Sequence, residues 1–377
     1  MHNHHLDSLH TLLARMRELG GSDLFITAGF PPAIKLDGKV TPLSSEPCSA
    51  EQSAIWVTAL MTEKQALAFE AEKEANFAIS PPGLGRFRIS AFVQMGQAGM
   101  VARVINTAIP DLSTLGLPAT LQEVVMSKRG LVIMVGATGS GKSTTLAAML
   151  GHRNANSHGH IITIEDPVEF VHPHGNCIVT QREVGVDTED WATALKNTLR
   201  QAPDVIQIGE IRDRETMDHA IAFAETGHLC LATLHANNAN QALDRIINFF
   251  PEERRQQLLM DLSLNLKAMI SQRLIPRKEA GGRTVAMEIM LNSPLMSELI
   301  FKGQVHDIKE LMKKSRELGM QTFDQSLFDL HESGTISYED ALRNADSVND
   351  LRLSIKLHGK ADAGREPAAG ARPLGLL

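Results

Sequence analysis

A chain of 377 residues, 43% apolar and 21% charged, has enough material for about two packed domains. Its 37 basic and 44 acidic residues leave a net charge of −7, and aromatic residues make up only 4%; this weighs against a nucleic-acid motor, which needs a basic face and stacking platforms. Cys48, Cys177 and Cys230 stand far apart with no C-x-x-C pair, so neither a disulfide framework nor a zinc ribbon is expected, and a reducing compartment is.

The start, MHNHHLDSLH, has no basic region followed by an apolar run, so no secretory signal is expected. Its His2, His4 and His5 read as a frayed polar terminus rather than a metal site. Leu6, Leu9, Leu13 and Met16 recur at helical spacing up to Gly20-Gly21 and predict a first amphipathic helix. SDLFITAG and AIKLDGKVTPL predict strands, with Asp37-Gly38 as a hairpin turn, and a second helix is expected from about Ala50 to Ala75. A further hairpin turns at Pro81-Pro82-Gly83, and the strand GMVARVI closes a small α/β domain over 1–106. The aperiodic stretch NTAIPDLSTLGLP supplies an interdomain linker over 107–118.

Over 119–357 a second domain is expected. GLVIMVG, HIITIED, DVIQIGE and HLCLATLH are apolar on both faces and separated by helical stretches, the pattern of a parallel sheet covered on both sides. After Pro251 the chain reads as helical to about Leu357, and 358–377 has too little apolar content to pack, so a disordered tail is expected. No apolar run approaches the roughly 18 residues a membrane span requires, so any work at a membrane passes through a partner.

The segment RGLVIMVGATGSGKSTTL carries the strongest signal. Gly136, Ala137, Thr138, Gly139, Ser140, Gly141, Lys142 and Ser143 match G-x-x-x-x-G-K-[ST] at every position, after a buried strand and before a helix. Glycines let backbone amides turn onto phosphate oxygens, and the helix behind adds its positive end. Lys142 is expected at the β- and γ-phosphates, Ser143 on Mg²⁺ and Thr144 near the α-phosphate, so a nucleoside triphosphate with Mg²⁺ is the expected ligand. A glycine-rich turn with a chance lysine is the bland alternative.

Ligands collect at the carboxyl ends of parallel strands. Glu165, Asp166 and Glu169 follow one such strand and Glu210 another, so one end would orient the attacking water and the other serve the metal; helix capping is the competing use of such acids. His228 and His235 flank a six-residue strand, about 23 Å apart if extended, so they cannot share one γ-phosphate within a subunit. His235 is the candidate phosphate sensor, while His228 faces either a neighbouring subunit or a merely structural role. Arg86 and Arg88 lie on one face of a strand, and with Arg103 they could act as fingers on developing phosphate charge or simply be solvated.

Taken together, GATGSGKSTTLAAML, TIEDPVEF, QREVG, APDVIQIGEIRDRETM, AETGHLCLATLHA and GMQTFDQSL resemble the type IV pilus retraction ATPases, the PilT/PilU family within the secretion ATPase superfamily, from about Leu9 to Leu357. The resemblance implies a PAS-like amino-terminal domain joined to a RecA-like P-loop motor domain with a helical carboxyl-terminal part, in a hexameric ring. It also implies ATP hydrolysis that powers or assists pilus retraction and twitching motility, and a cytoplasmic place at the inner membrane through a pilus platform protein. By position Glu169 matches the catalytic glutamate of the family's aspartate box, Glu210 the metal-side glutamate, His228 and His235 the histidine box, and Arg88 and Arg103 the amino-domain arginines.

PLMSELI from Pro294 lacks the arginine of the AIRNLI-like helix that the PilT branch carries there, and YEDALRNADSVNDLRLSIKL resembles the PilU branch. That implies an accessory retraction ATPase working with a paralogous PilT-type partner. Two other readings stay open: a nucleotide-gated structural partner with little turnover of its own, and a nucleic-acid translocase on the same core.

Overall fold

The computed structural model describes residues 2–36, 38–105, 108–279 and 281–359. Asp37 of the expected hairpin and residues 360–377 of the expected tail lie outside the described residues. The chain forms two compact units. One comprises Met1–Ile109 together with Pro167–His172 and Glu183–Glu189; the other comprises Pro110–Asp166, Pro173–Arg182 and Asp190–Leu377.

In the first unit, α1 (His2–Glu18) is helical already through the stretch expected to fray, and Leu9, Leu13 and Met16 are fully buried. Each such side chain contributes about 1.5–3 kcal/mol by leaving water. Strands β1 (Asp23–Ile26), β2 (Ala33–Leu36) and β3 (Lys39–Pro42) follow. The single helix expected from Ala50 to Ala75 is instead α2 (Ala50–Ala59) and α3 (Glu63–Glu72), with Ala75 already in the strand β4 (Glu74–Ile79). The break is local chemistry: Thr62 caps α3 by accepting from the Gln65 amide while the Gln65 side chain accepts from the Thr62 amide. With β5 (Arg86–Gln94) and β6 (Gln97–Ile105) the strands form one antiparallel sheet of six in the order β3-β2-β1-β6-β5-β4.

The second unit opens inside the stretch read as a linker. Leu112–Leu115 form a 3₁₀ turn capped by Asp111, and Leu112 is buried with α4 (Thr120–Val125) in the core of this unit. Here β7 (Gly130–Val135), α5 (Lys142–Asn156), β8 (Gly159–Glu165), β9 (Cys177–Glu183), α6 (Trp191–Thr198), β10 (Val205–Ile208), α7 (Arg214–Glu225), β11 (Leu229–Leu234), α8 (Ala239–Phe249) and α9 (Glu252–Asn265) succeed one another. The expectation of continuous helix after Pro251 is corrected: β12 (Leu266–Pro276) and β13 (Arg283–Leu291) form an antiparallel hairpin, with β12 running parallel beside β7. A long apolar run fits a buried strand and a buried helix equally well in sequence, and α9 passes into β12 with no glycine or proline between them to mark the change.

The resulting seven-stranded sheet has the order β13-β12-β7-β11-β10-β8-β9. β12, β7, β11, β10 and β8 are parallel neighbours. Val132, Met134, Leu229, Leu231 and Ile270 pack with α4 and α5 residues in one core cluster. The alternate residues Leu131, Ile133, Cys230, Ala232 and Met269 are equally buried, and α7 covers β7 and β11. Helices α10 (Pro294–Phe301), α11 (Val305–Lys314), α12 (Phe323–Glu332), α13 (Tyr338–Arg343) and α14 (Val348–His358) complete the unit. Phe323, Leu327, Ile336, Ala341, Leu351 and Ile355 pack there on Ile275 and Ala286 of the β12–β13 hairpin.

Candidate phosphate-binding site

β7 is buried at every residue and delivers the chain to Gly136, after which five loop residues lead into α5. Gly141 is the residue before α5, with φ +88, and no side chain caps the helix. The first-turn amides of α5 are therefore left for an anion, helped by the helix dipole. A Cβ at Gly136 would come within 2.5 Å of Ser140 Oγ and 2.8 Å of the Gln272 carbonyl oxygen, so this close-packed turn admits only glycine. Ala137, Thr138 and Gly139 form the exposed crest of the loop, while Ser143 and Thr144 are half-buried in the first turn of α5.

Lys142 is buried, and its Nζ donates to the carbonyls of Gly136 (2.8 Å) and Ala137 (3.0 Å), across the mouth of the loop. Ser140 Oγ is buried without a hydrogen-bond partner. A buried hydroxyl left unpaired costs about 1–3 kcal/mol, which a phosphate oxygen within reach would recover. The glycine turn, the uncapped helix and the orphaned hydroxyl together fit a phosphate group.

The sheet order places three further strand ends beside the loop in succession. β11 ends at Leu234, so His235 follows; β10 ends before Glu210; β8 ends in Glu165. His235 Nε2 lies 3.3 Å from Glu210 Oε2. Arg212 hydrogen-bonds the same Glu210 carboxylate through Nε, reaches Asp166 Oδ2 at 3.4 Å through Nη1, and lies over the Trp191 ring at 5.7 Å. The hydrogen bond that Arg212 donates to Glu210 comes first in holding its guanidinium above the usual range. Glu210, Asp166 and His235 are thus brought together, with Arg212 as a bridging cation that sequence reasoning missed. Its place two residues after Glu210 was the available signal.

Glu165 is buried and accepts from Thr163 Oγ1 at 2.6 Å and Gln181 Nε2 at 3.3 Å, which ties it to β8 and β9. Glu169 lies on the exposed part of the Pro167–His172 segment, which belongs to the first unit. His228 sits at the opposite end of β11 from His235, its Nδ1 3.1 Å from Thr226 Oγ1 and 3.2 Å from the Phe223 carbonyl, contacts of a local, structural kind. In the first unit Arg88 is exposed and stands directly opposite Arg103 in the β5–β6 register. Arg103 donates to buried Asp23 at 2.7 Å while its side chain stays 63% exposed, so it keeps a face toward solvent. Arg86 differs from its strand-mate: it is held at 2.9 Å by buried Glu183, which also accepts from the Val168 amide.

The chain beyond His235 is anchored from beneath. The Arg245 guanidinium donates to the His235 carbonyl at 2.8 Å, and buried Glu288 accepts from the Ala239 amide (2.7 Å) and Ser271 Oγ (3.0 Å). Burial pushes the Glu288 carboxyl up to about 7 from an ordinary 4.5. The unfolded chain then releases this proton at lower pH than the folded one, so between about 4.5 and 7 stability falls as pH rises. Above that window the loss is complete, of order 3 kcal/mol at about 1.4 kcal/mol per unit. Glu288→Gln keeps an oxygen for the Ala239 amide and removes the titration. Its thermal midpoint should exceed that of the parent at pH 8, with the gain shrinking toward pH 4.5; a gain independent of pH would refute the assignment.

The family profile described as "Type II/IV secretion system protein" matches residues 76–343. The Type IV pilus ATPase PilU of Pseudomonas aeruginosa is 62% identical over 352 residues, 93% of this chain and 92% of that protein. The type IV pilus retraction ATPase PilT of the same organism is 42% identical over 334 residues, 89% of this chain and 97% of its own length. A crystal structure of the pilus retraction motor PilT with bound ADP superposes with a TM-score of 0.85 at 38% identity, covering 90% of this chain and 97% of that one.

Proposed function

Because the chain belongs to the type II/IV secretion system protein family and matches its pilus ATPases along most of its length, we propose that it is an ATP-hydrolysing motor serving type IV pilus retraction and twitching motility. The observation that carries the reading is the glycine cradle at Gly136–Ser143, with Glu210 and His235 at the neighbouring strand ends.

The loop amides and the start of α5 hold the triphosphate, with Thr144 near its α-phosphate. In this reading Lys142 carries its charge to the β- and γ-phosphates. Ser143 and Glu210 offer the hard oxygen ligands Mg²⁺ prefers, with water between in part. An ion held by Ser143 and Glu210 would supply positive charge to offset the charge building on the transferring phosphoryl group.

In this reading Glu169 orients the attacking water and takes its proton. His235, touching Glu210, reports on the γ-phosphate. Arg88 and Arg103 act as fingers on a nucleotide of their own or a neighbouring subunit in a hexamer. The ring works with a PilT-type paralogue on an inner-membrane platform protein. Among the described residues no helix is long and apolar enough to cross a membrane.

The purified chain should release phosphate steadily from Mg–ATP, at a rate that single-stranded or duplex DNA leaves unchanged. Binding without release would favour the nucleotide-gated partner. Stimulation by DNA would favour a translocase.

A further inference from the structure

Gln272 lies on β12 just past the point where that strand pairs with the end of β7: Ser271 is the register partner of Val135. Its side chain is 2% exposed and both ends of its carboxamide are used. Nε2 donates to the Ser140 carbonyl at 2.8 Å, and Oε1 accepts from Thr145 Oγ1 at 2.8 Å. The two partners fix the amide orientation, since the opposite one would set carbonyl against carbonyl.

We propose that Gln272 is a positioning residue for nucleotide binding, tying the middle of the phosphate loop to the first turn of α5 and so setting the spacing of the amides between them. This rests on the nucleotide reading given above. Ser140 and Thr145 bracket Gly141, Lys142, Ser143 and Thr144, the segment whose amides and side chains face the phosphates. A clamp across that segment restrains its curvature without itself touching the ligand.

The same residue accounts for part of the loop's glycine requirement. A Cβ at Gly141 would lie 2.7 Å from Gln272 Nε2, and one at Gly136 would lie 2.8 Å from the Gln272 carbonyl oxygen. Both glycines therefore make room for β12 as well as for phosphate. Arg273, the next residue on the strand, donates to the Asn237 carbonyl (3.1 Å) and to Asp346 (2.8 Å) and lies 3.9 Å from the centre of the Phe323 ring. The strand end that clamps the loop is thus itself held by the histidine loop and the carboxyl-terminal helices, which makes it a fixed anchor.

A tenfold loss of affinity, about 1.4 kcal/mol, is the scale expected when both hydrogen bonds of the clamp are removed. With the full chain and Mg–ADP as the titrant, Gln272→Met should weaken binding by about tenfold. For ATP hydrolysis it should raise KM by a similar factor with a much smaller change in kcat, because the loop holds ground state and transition state alike. Thr145→Val should weaken binding by about threefold in the parent and add nothing to Gln272→Met, its acceptor being already gone. Thr145→Ser, which keeps the hydroxyl, should retain parental affinity.

If Gln272→Met fails to fold, the Thr145→Val and Thr145→Ser pair decides alone. Equal affinity in those two, parental affinity in folded Gln272→Met, or full additivity of the two losses would each overturn the assignment. A parent chain that does not bind Mg–ADP would overturn the nucleotide reading itself, and this inference with it.

Discussion

Lys142→Ala should abolish ATP turnover, with phosphate release falling by at least about a hundredfold, the loss typical when one preorganised donor to a developing negative charge is removed. The structure explains why no neighbour can substitute. Lys142 is buried, its ammonium already lies across the loop mouth on the Gly136 and Ala137 carbonyls, and Arg212 is committed to Glu210 and Asp166. The loop itself should survive the change, because the Gln272 bonds to Ser140 and Thr145 do not involve the lysine. Phosphate release, Mg–ADP titration and a thermal melt on the same preparation separate these effects. Turnover near the parental rate would remove Lys142 from the chemistry, and a collapsed melt would point to a structural part instead.

Glu169→Gln should bind Mg–ATP about as tightly as the parent while hydrolysis drops by about 10²–10⁴-fold, the usual contribution of a general base. The side chain is exposed and the substitution nearly isosteric, so little stability is at stake. Glu165, the nearby alternative, is buried and engaged by Thr163 and Gln181, a setting suited to holding β8 and β9 in place. Glu165→Gln is thus the informative control, expected to lower the melt before it touches kcat. A Glu169→Gln chain that turns over ATP normally would hand the role of base to another residue.

The interaction set around Glu210 shapes how both results are understood. One carboxylate is shared by Arg212 and His235, so a change at any of the three disturbs the others. Arginine losses in the first unit differ in kind. Arg86 is half-buried in a pair with buried Glu183, whereas Arg88 and the outer face of Arg103 meet solvent.

The phosphate loop and the strands that end at Glu165, Glu210 and His235 were legible in the chain, because each is a short run of consecutive residues whose conformation is set locally. The break between α2 and α3 was equally local: its signal, the Thr62–Gln65 capping pair, was present in the sequence and passed over. Tertiary packing alone decided the rest. LKAMISQRLIP becomes a strand because it fills a place beside β7, where an extended chain pairs its amides and a helix would not. Arg86 parts from Arg88 because a buried carboxylate 97 positions away claims one and not the other. Gln272 reaches Ser140 across 132 positions of chain, a distance over which no periodicity or motif carries information. Contacts of that range exist only once the hydrophobic core has fixed the sheet order, since burial draws apolar side chains together without specifying which polar groups will meet at the strand ends.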